Sequence, residues 1–299
     1  MSHEAKRAGA AVHPGAVDTG PRSLAEAREA VRSRLRSTAD DFSNRGLPRP
    51  ALDGKLLRPL VAYLSVPPEQ RARLDGRFWA GALAVEMVHE ASLLHDDILD
   101  EATRRRGRPT MMAEEGVGPA LVKGDHLLTA AYRAAAETQS PAFLQVFIRA
   151  VERTVAGELA QETCQGRVLS REEYARNITG KSGELFRSAL TLAPTLLEIG
   201  HPGRAGDLGA RLGCLYQMVD DFLDYCPNAE RGKEPLKDYR QRKWTWPLGL
   251  IDTTDFDDPA PNVVARLFLN GETGQISPME RGSEMLEADV RDWIESASG

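Results

Sequence analysis

Cysteine is scarce in this chain and set in no pairing pattern. Three residues in 299 (Cys164, Cys214 and Cys226) are scattered without a Cys-x-x-Cys spacing. This excludes a disulfide framework and suits a reducing, cytoplasmic compartment with buried thiols. Aromatic residues are also few, at 6%, and alternating Val/Ile/Thr runs are almost absent, which argues against a sheet protein. No long apolar run occurs either. The longest, Ala80 to Leu94, is broken by Glu86, His89 and Glu90, so no membrane span is expected. The first residues lack the apolar core of a secretory signal, so none is expected. Positive charge is not in excess: 38 Lys and Arg stand against 44 Asp and Glu, a net charge of −6. The surface as a whole therefore repels nucleic acid and anionic lipid, and a polyanionic substrate would need a local basic site.

What remains is an ordinary globular composition, 41% hydrophobic and 27% charged, in a chain long enough for one sizeable core. Residues 1–22 are rich in Ala, Gly, His and Pro without periodicity and read as a disordered tail. Ser23-Leu-Ala-Glu26 then has the form of a capping box opening a helix. From there to about Leu250, apolar residues recur three to four apart between short Gly/Pro/Asp breaks. The expectation is a single all-α domain over residues 23–299. No repeat of fixed period occurs, but one short acidic pattern appears twice.

Its first occurrence is AVEMVHEASLLHDDILDEATRRRGRPT. Leu83, Met87, Ala91, Leu94 and Ile98 mark the buried face of a long helix. His89, Asp96 and Asp100 share another stripe, with Asp97 beside them. Three carboxylates this close repel one another, a cost that a bound divalent cation removes; hard oxygen ligands select Mg²⁺ or Mn²⁺ over Zn²⁺. Arg104, Arg105, Arg106 and Arg108 follow at once, which suits a metal-bridged diphosphate. A solvated helix end with a charged loop would look the same.

The pattern recurs in LGCLYQMVDDFLDY. Leu208, Leu212, Leu215, Val219 and Phe222 mark a buried face. Gln217, Asp220, Asp221 and Asp224 fall at i, i+3, i+4 and i+7 on one polar stripe. Two such helices can face each other across a bundle and share a metal site. A carboxylate di-iron centre is the competitor, but it needs two Glu-x-x-His pairs, and Glu86-Met-Val-His89 is the one pair found. Basic groups complete the set. Lys55 and Arg58 in GKLLRP are expected on one face of a helix start, a ready anion site. Lys181 lies among apolar neighbours in NITGKSGELF, and Lys233 and Lys243 follow the second acidic cluster. Each could be a plain surface lysine.

Taken together, the ordered motifs GKLLRP, DDILDEATRRRGRPT, GELAQE, GKSGELF and YQMVDDFLD with its trailing GK and KWTWP resemble the trans-type (E-type) isoprenyl diphosphate synthases over roughly residues 50–250. The resemblance implies a bundle of mostly antiparallel helices around a central cavity, usually a homodimer. It implies that Asp96, Asp97, Asp100, Asp220, Asp221 and Asp224 hold Mg²⁺ ions on an allylic diphosphate, which Arg105, Lys181, Ser182, Gln217, Lys233 and Lys243 bind or flank. Lys55, Arg58, His89 and Arg106 would form the pocket for isopentenyl diphosphate. The implied reaction ionises the allylic C–O bond, adds the second substrate's double bond to the cation, and loses a proton, which the released diphosphate accepts.

Ser182 and Gly183 stand where the family more often has Thr and Ala or Gly. After Pro247 about 50 residues remain, fewer than usual, and DTTDFDDPAP there reads as a solvated loop. A class I terpene cyclase shares such a fold, yet those enzymes usually replace the second Asp-Asp-x-x-Asp and lack GKLLRP. A non-catalytic partner subunit typically loses one aspartate motif, and neither is lost. Ala91 and Ser92, one turn before Asp96, are small where short-product members tend to place aromatic rings. Tyr132 in GDHLLTAAYRAAAE is the candidate floor of the product channel, or ordinary packing. The expected product is C20 or longer.

Overall fold

Ser23 opens the first helix as its spacing predicts. Its hydroxyl accepts the Glu26 amide at 3.1 Å, and α1 runs Leu24–Asn44. Val31, Leu35, Ala39 and Phe42 lie on its buried face at helical intervals. The computed structural model describes residue 21, residues 23–225 and residues 236–249, and nearly all of them are helical. After α1 come α2 (Leu57–Leu64), a 3₁₀ segment (Pro68–Arg73), α3 (Gly76–Leu99), α4 (Met111–Glu115), α5 (Val117–Ala136), α6 (Pro141–Thr163), α7 (Arg171–Ile178), α8 (Glu184–Leu197) and α9 (Pro202–Asp224). Two single turns follow, α10 (Lys237–Arg240) and α11 (Trp246–Gly249). The fold is all-α, as expected. The proposed tail, residue 21 apart, the stretch 252–261 and Cys226 lie outside the described residues.

Helix α3 is the axis of the core. Phe78 to Val88 are buried on every side, because α1, α2, α5 and α8 all pack on it. A helix enclosed in this way carries apolar residues all round rather than on one stripe. Its C-terminal third emerges half-covered and carries the first acidic cluster. A second, smaller apolar cluster forms where Tyr174, Ile178, Tyr225, Tyr239, Trp244 and Leu248 meet, beside the second acidic cluster.

Helices α7 and α8 are continuous through five residues of wide π geometry, Thr179–Gly183. Such bulges displace side chains from the regular helical path and concentrate at functional sites. This one carries Lys181 and Ser182, and α6 and α9 press against it. A Cβ on Gly157 of α6 would stand 2.6 Å from the Lys181 amide nitrogen, and one on Gly213 of α9 would stand 2.7 Å from Gly183 Cα. Only glycine permits both approaches.

That packing overturns one expectation. The buried face of α9 is Gly206, Gly209, Ala210, Gly213 and Asp221. Leu208 is exposed, and Leu212, Leu215, Val219 and Phe222 are only half-buried. Hydrophobic periodicity follows side-chain size, whereas a close helix crossing selects for no side chain at all. A second correction concerns GKLLRP. Leu56 adopts left-handed φ of +53° and caps α2, so Lys55 precedes the helix and is exposed, while Arg58 is buried in its first turn. The two cations do not share a helix face. The arginine block forms a minimal hairpin: Arg104–Arg105 pair with Arg108–Pro109 around Arg106 and Gly107. Both of those residues have positive φ (+50° and +76°), as a two-residue hairpin turn requires.

Candidate diphosphate site at two aspartate-bearing helix ends

Asp96 and Asp97 lie in the last turn of α3, and Asp100 is its C-cap. A helix C-terminus already carries negative partial charge, so carboxylates there need cations. Asp97 finds one: Arg105 Nε donates to its Oδ1 at 2.8 Å, with Asp97 almost fully buried. Asp100 finds two: Lys237 Nζ donates at 2.6 Å and Lys243 Nζ at 2.8 Å. Burial would raise the Asp100 carboxyl, but these two hydrogen bonds hold it below the usual carboxylate range. Asp96 goes the other way. Burial, with Glu158 and Asp100 nearby, pushes it up to about 6 against the pull of Lys181 and Arg105.

Lys181 stands between the two clusters. Its ammonium donates to Glu158 at 3.0 Å and to Gln161 at 2.8 Å, both on α6. Burial works against its charge, yet Asp96 and Glu158 more than compensate and raise its pKa, so it stays protonated. On the other side, Ser182 Oγ donates to Gln217 Oε1 at 2.6 Å, and Gln217 Nε2 donates to Asp221 Oδ1 at 2.7 Å. Tyr174 OH donates to the other Asp221 oxygen at 2.7 Å. Even so, burial and Asp238 push the Asp221 carboxyl up to about 8. Asp220 is exposed, and Asp224 accepts the Asp238 amide at 3.1 Å. A small cleft lined by Gln161, Tyr174, Lys181, Gln217, Asp221 and Lys243 opens beside this network.

The second basic group gathers around Glu86 and His89, about two turns before Asp96 on α3. Arg58 is buried with its guanidinium 4.8 Å over the Phe186 ring. Glu86, also buried, is the carboxylate whose charge acts on Arg58, and its own pKa rises to about 7 through burial. His89 is held well below its usual value by burial and then by Arg58, Arg106 and Arg105, so it is a neutral imidazole. Arg106 donates to Asp53 at 3.1 Å. Of the chain-length candidates, Ala91 is buried in the core and Ser92 Oγ donates to the His89 carbonyl at 2.8 Å. Tyr132 meets Phe147 edge-on at 5.7 Å. Lys233 lies outside the described residues.

Several residues of the site escaped sequence reasoning. Glu158, Gln161 and Glu162 sit at i, i+3 and i+4 in GELAQE, a readable polar face whose partner was not evident. Tyr174 lies two turns before Lys181. For Lys237 and Asp238 no local signal exists, because only the tertiary fold brings them to Asp100 and Asp224.

Whether a divalent cation fits can be judged from the donor set. The six aspartates offer hard carboxylate oxygens, and Asp96 and Asp221 are raised because buried negative charge is under-compensated, which is the deficit a cation relieves. Among the described residues, however, no three carboxylate, imidazole or thiolate groups converge closely enough to hold an ion as they stand. Asp97, Asp100 and Asp221 are turned to Arg105, the two lysines, and Tyr174 with Gln217. The donor chemistry fits, and a metal bound there would compete with these partners for the aspartates' charge.

Fold and site define an all-helical class with aspartate-rich ends on two helices, and comparison with known proteins identifies the family. The family model for polyprenyl synthetases matches residues 50–259. Octaprenyl diphosphate synthase of Haemophilus influenzae is 34% identical over 204 residues, covering 65% of this chain and 60% of that protein. Nonaprenyl diphosphate synthase of Mycobacterium tuberculosis is 30% identical over 244 residues, covering 80% and 71%. A polyprenyl synthase of Caulobacter crescentus, solved with calcium and isoprenyl diphosphate, superposes with a TM-score of 0.70 at 27% identity over 93% of this chain and 92% of that one. The chain belongs to the trans-isoprenyl diphosphate synthase, or polyprenyl synthetase, family. It spans about 60% of the length of the octaprenyl diphosphate synthases it matches.

Proposed function

We propose that this protein is a Mg²⁺-dependent trans-prenyltransferase that condenses an allylic diphosphate with isopentenyl diphosphate to an all-trans product of C20 or longer. The observation that carries the reading is the pair of aspartate-rich helix ends with protonated Lys181 held between them. Asp96, Asp97 and Asp100 with Asp220, Asp221 and Asp224 would hold the metal, which when bound neutralises charge developing on the leaving diphosphate. The chain's own groups do the rest. Lys181, Lys243 and Arg105 place positive charge where the diphosphate departs, in a partly desolvated site where that charge is worth more than in water. Arg58, neutral His89 and Arg106 hold the second diphosphate about two turns back along α3, so that its double bond waits beside the cation. Because the released diphosphate can accept the final proton, no side-chain base is needed.

The relatives' names support the chemistry, and most of them the product class: octaprenyl, nonaprenyl and geranylgeranyl diphosphate synthases are among them, and farnesyl diphosphate synthases match at the same 30% identity as the latter two. A protein of known structure that holds calcium with an isoprenyl diphosphate supports carboxylate-bound divalent metal. We also place a second copy of the chain on the face of α5 and α6, where Val122, Val155 and Leu159 are more than half exposed. Cytoplasmic localisation is part of the proposal; among the described residues no helix is long and apolar enough to cross a membrane.

Product analysis with allylic primers of several lengths, with and without isopentenyl diphosphate, is the test. Elongated diphosphates that form only when both substrates are present support the reading. Hydrocarbon from the allylic substrate alone would make the protein a cyclase, and no product under either condition would make it a non-catalytic subunit.

A further inference from the structure

Both carboxylate oxygens of Asp100 are already taken. Lys237 Nζ donates to Oδ2 at 2.6 Å, and Lys243 Nζ donates to Oδ1 at 2.8 Å. Gln241 Nε2 adds a contact to the Asp100 carbonyl at 3.3 Å. The stretch from α10 to Lys243 therefore wraps the C-terminal end of α3. Two ammonium groups on one carboxylate supply the charge of a divalent cation by other means, and they do so at the C-cap where a cation is most wanted.

The two lysines are not equivalent. Lys243 has a second carboxylate, Glu162, at 3.1 Å, and its side chain is 5% exposed. Lys237 is 37% exposed. Its ammonium rides on a flexible four-carbon stem and can turn to solvent at modest cost. Each oxygen keeps a second lone pair, so the conflict at Asp100 is one of charge: a divalent cation there is repelled by the two ammonium groups, and Lys237 is the one free to leave while Lys243 stays with Glu162.

Resting on the metal reading above, we propose that Lys237 is an internal stand-in for the divalent cation at Asp100, so that metal loading is an exchange in which the cation displaces the Lys237 ammonium. The metal-free protein is thereby kept from exposing a bare carboxylate. The displaced ammonium is left beside the metal site, where it can meet an incoming diphosphate oxygen. Lys237 thus lowers affinity for free metal and ties loading to the arrival of a polyanion.

Mn²⁺ is a direct probe, titrated by electron paramagnetic resonance into the full chain without substrate. Lys237→Met and Lys237→Gln, two variants so that one misfolded protein does not decide the matter, are expected to bind Mn²⁺ about tenfold more tightly, the change given by removing one competing charge-assisted contact. In an Asp100→Asn background, where no carboxylate is contested, the same Lys237 changes are expected to have no effect. Unchanged or weaker Mn²⁺ binding in both Lys237 variants overturns the exchange. So does equal tightening in the Asp100→Asn background, which would trace the gain to net charge alone. If none of the proteins binds Mn²⁺ without substrate, or all bind it equally, the exchange is overturned; a repeat with inorganic diphosphate present tests the metal reading separately, and no Mn²⁺ binding there overturns that reading too.

Discussion

Outside the two aspartate clusters, Glu86 is a residue whose chemistry and position disagree. It lies inside the α3 core, its Oε2 has no hydrogen-bond partner, and burial lifts its carboxyl from 4.5 to about 7. A carboxyl whose folded pKa lies above its unfolded one gives stability that is complete below about pH 4.5 and is lost as pH rises through 7. Glu86→Gln removes that loss. Its stability relative to the native protein is expected to grow between pH 5 and pH 8, approaching roughly 3 kcal/mol, in denaturant titrations at the two pH values. A pH-independent difference would show that Glu86 is charged throughout, held by Arg58. Tyr132 makes the second case at this scale. Its ring packs edge-on against Phe147 at the margin of the core. If it stops the growing chain, Tyr132→Ala lengthens the product distribution, and Ala91→Phe shortens it toward C15. Ala91→Phe also overpacks a buried site and is expected to cost about 1–3 kcal/mol of stability. An unchanged product profile in both variants would place the floor elsewhere.

Helices were more legible than the contacts between them. The Ser23 cap, the all-helical class and the apolar run of α3 through Met87 and Ala91 could be read directly, because caps and apolar runs are local signals. The crossing of α9 on α8 could not. Its glycines write no hydrophobic stripe, and the leucines that do write one are exposed or half-buried, away from the crossing. The contrast is testable in one element pair. Gly213→Ala would set a Cβ 2.7 Å from backbone atoms at Ser182 and Gly183, so α9 must move away from the π segment. We expect a loss of about 1–3 kcal/mol. Gly76→Ala at the first residue of α3 meets nothing within 4 Å and is expected to be neutral or to gain up to about 0.5 kcal/mol from helix propensity. Thermal melts of the two variants check the pair. Equal shifts would mean that the close crossing carries no energetic weight.

Across the whole molecule, the aspartates were evident from their spacing, and their partners were not. Asp96 and Asp221, Lys181 and Gln217 declare themselves as motifs, while Glu158, Tyr174 and Lys237 reach the site only through folding. The same distinction separates Arg58, a readable motif residue, from the reason it is buried: Phe186 beneath it and Glu86 nearby belong to other segments. The central claim is that the two helix ends act as one diphosphate-ionising site. Turnover of Asp96→Ala, Asp220→Ala and the double variant, each checked for native helicity, tests it most directly. If both ends serve one site, each single change lowers turnover by about three orders of magnitude or more, roughly 4 kcal/mol, and the double variant is little worse than either. Near-native turnover in a correctly folded Asp96→Ala or Asp220→Ala protein would contradict the account.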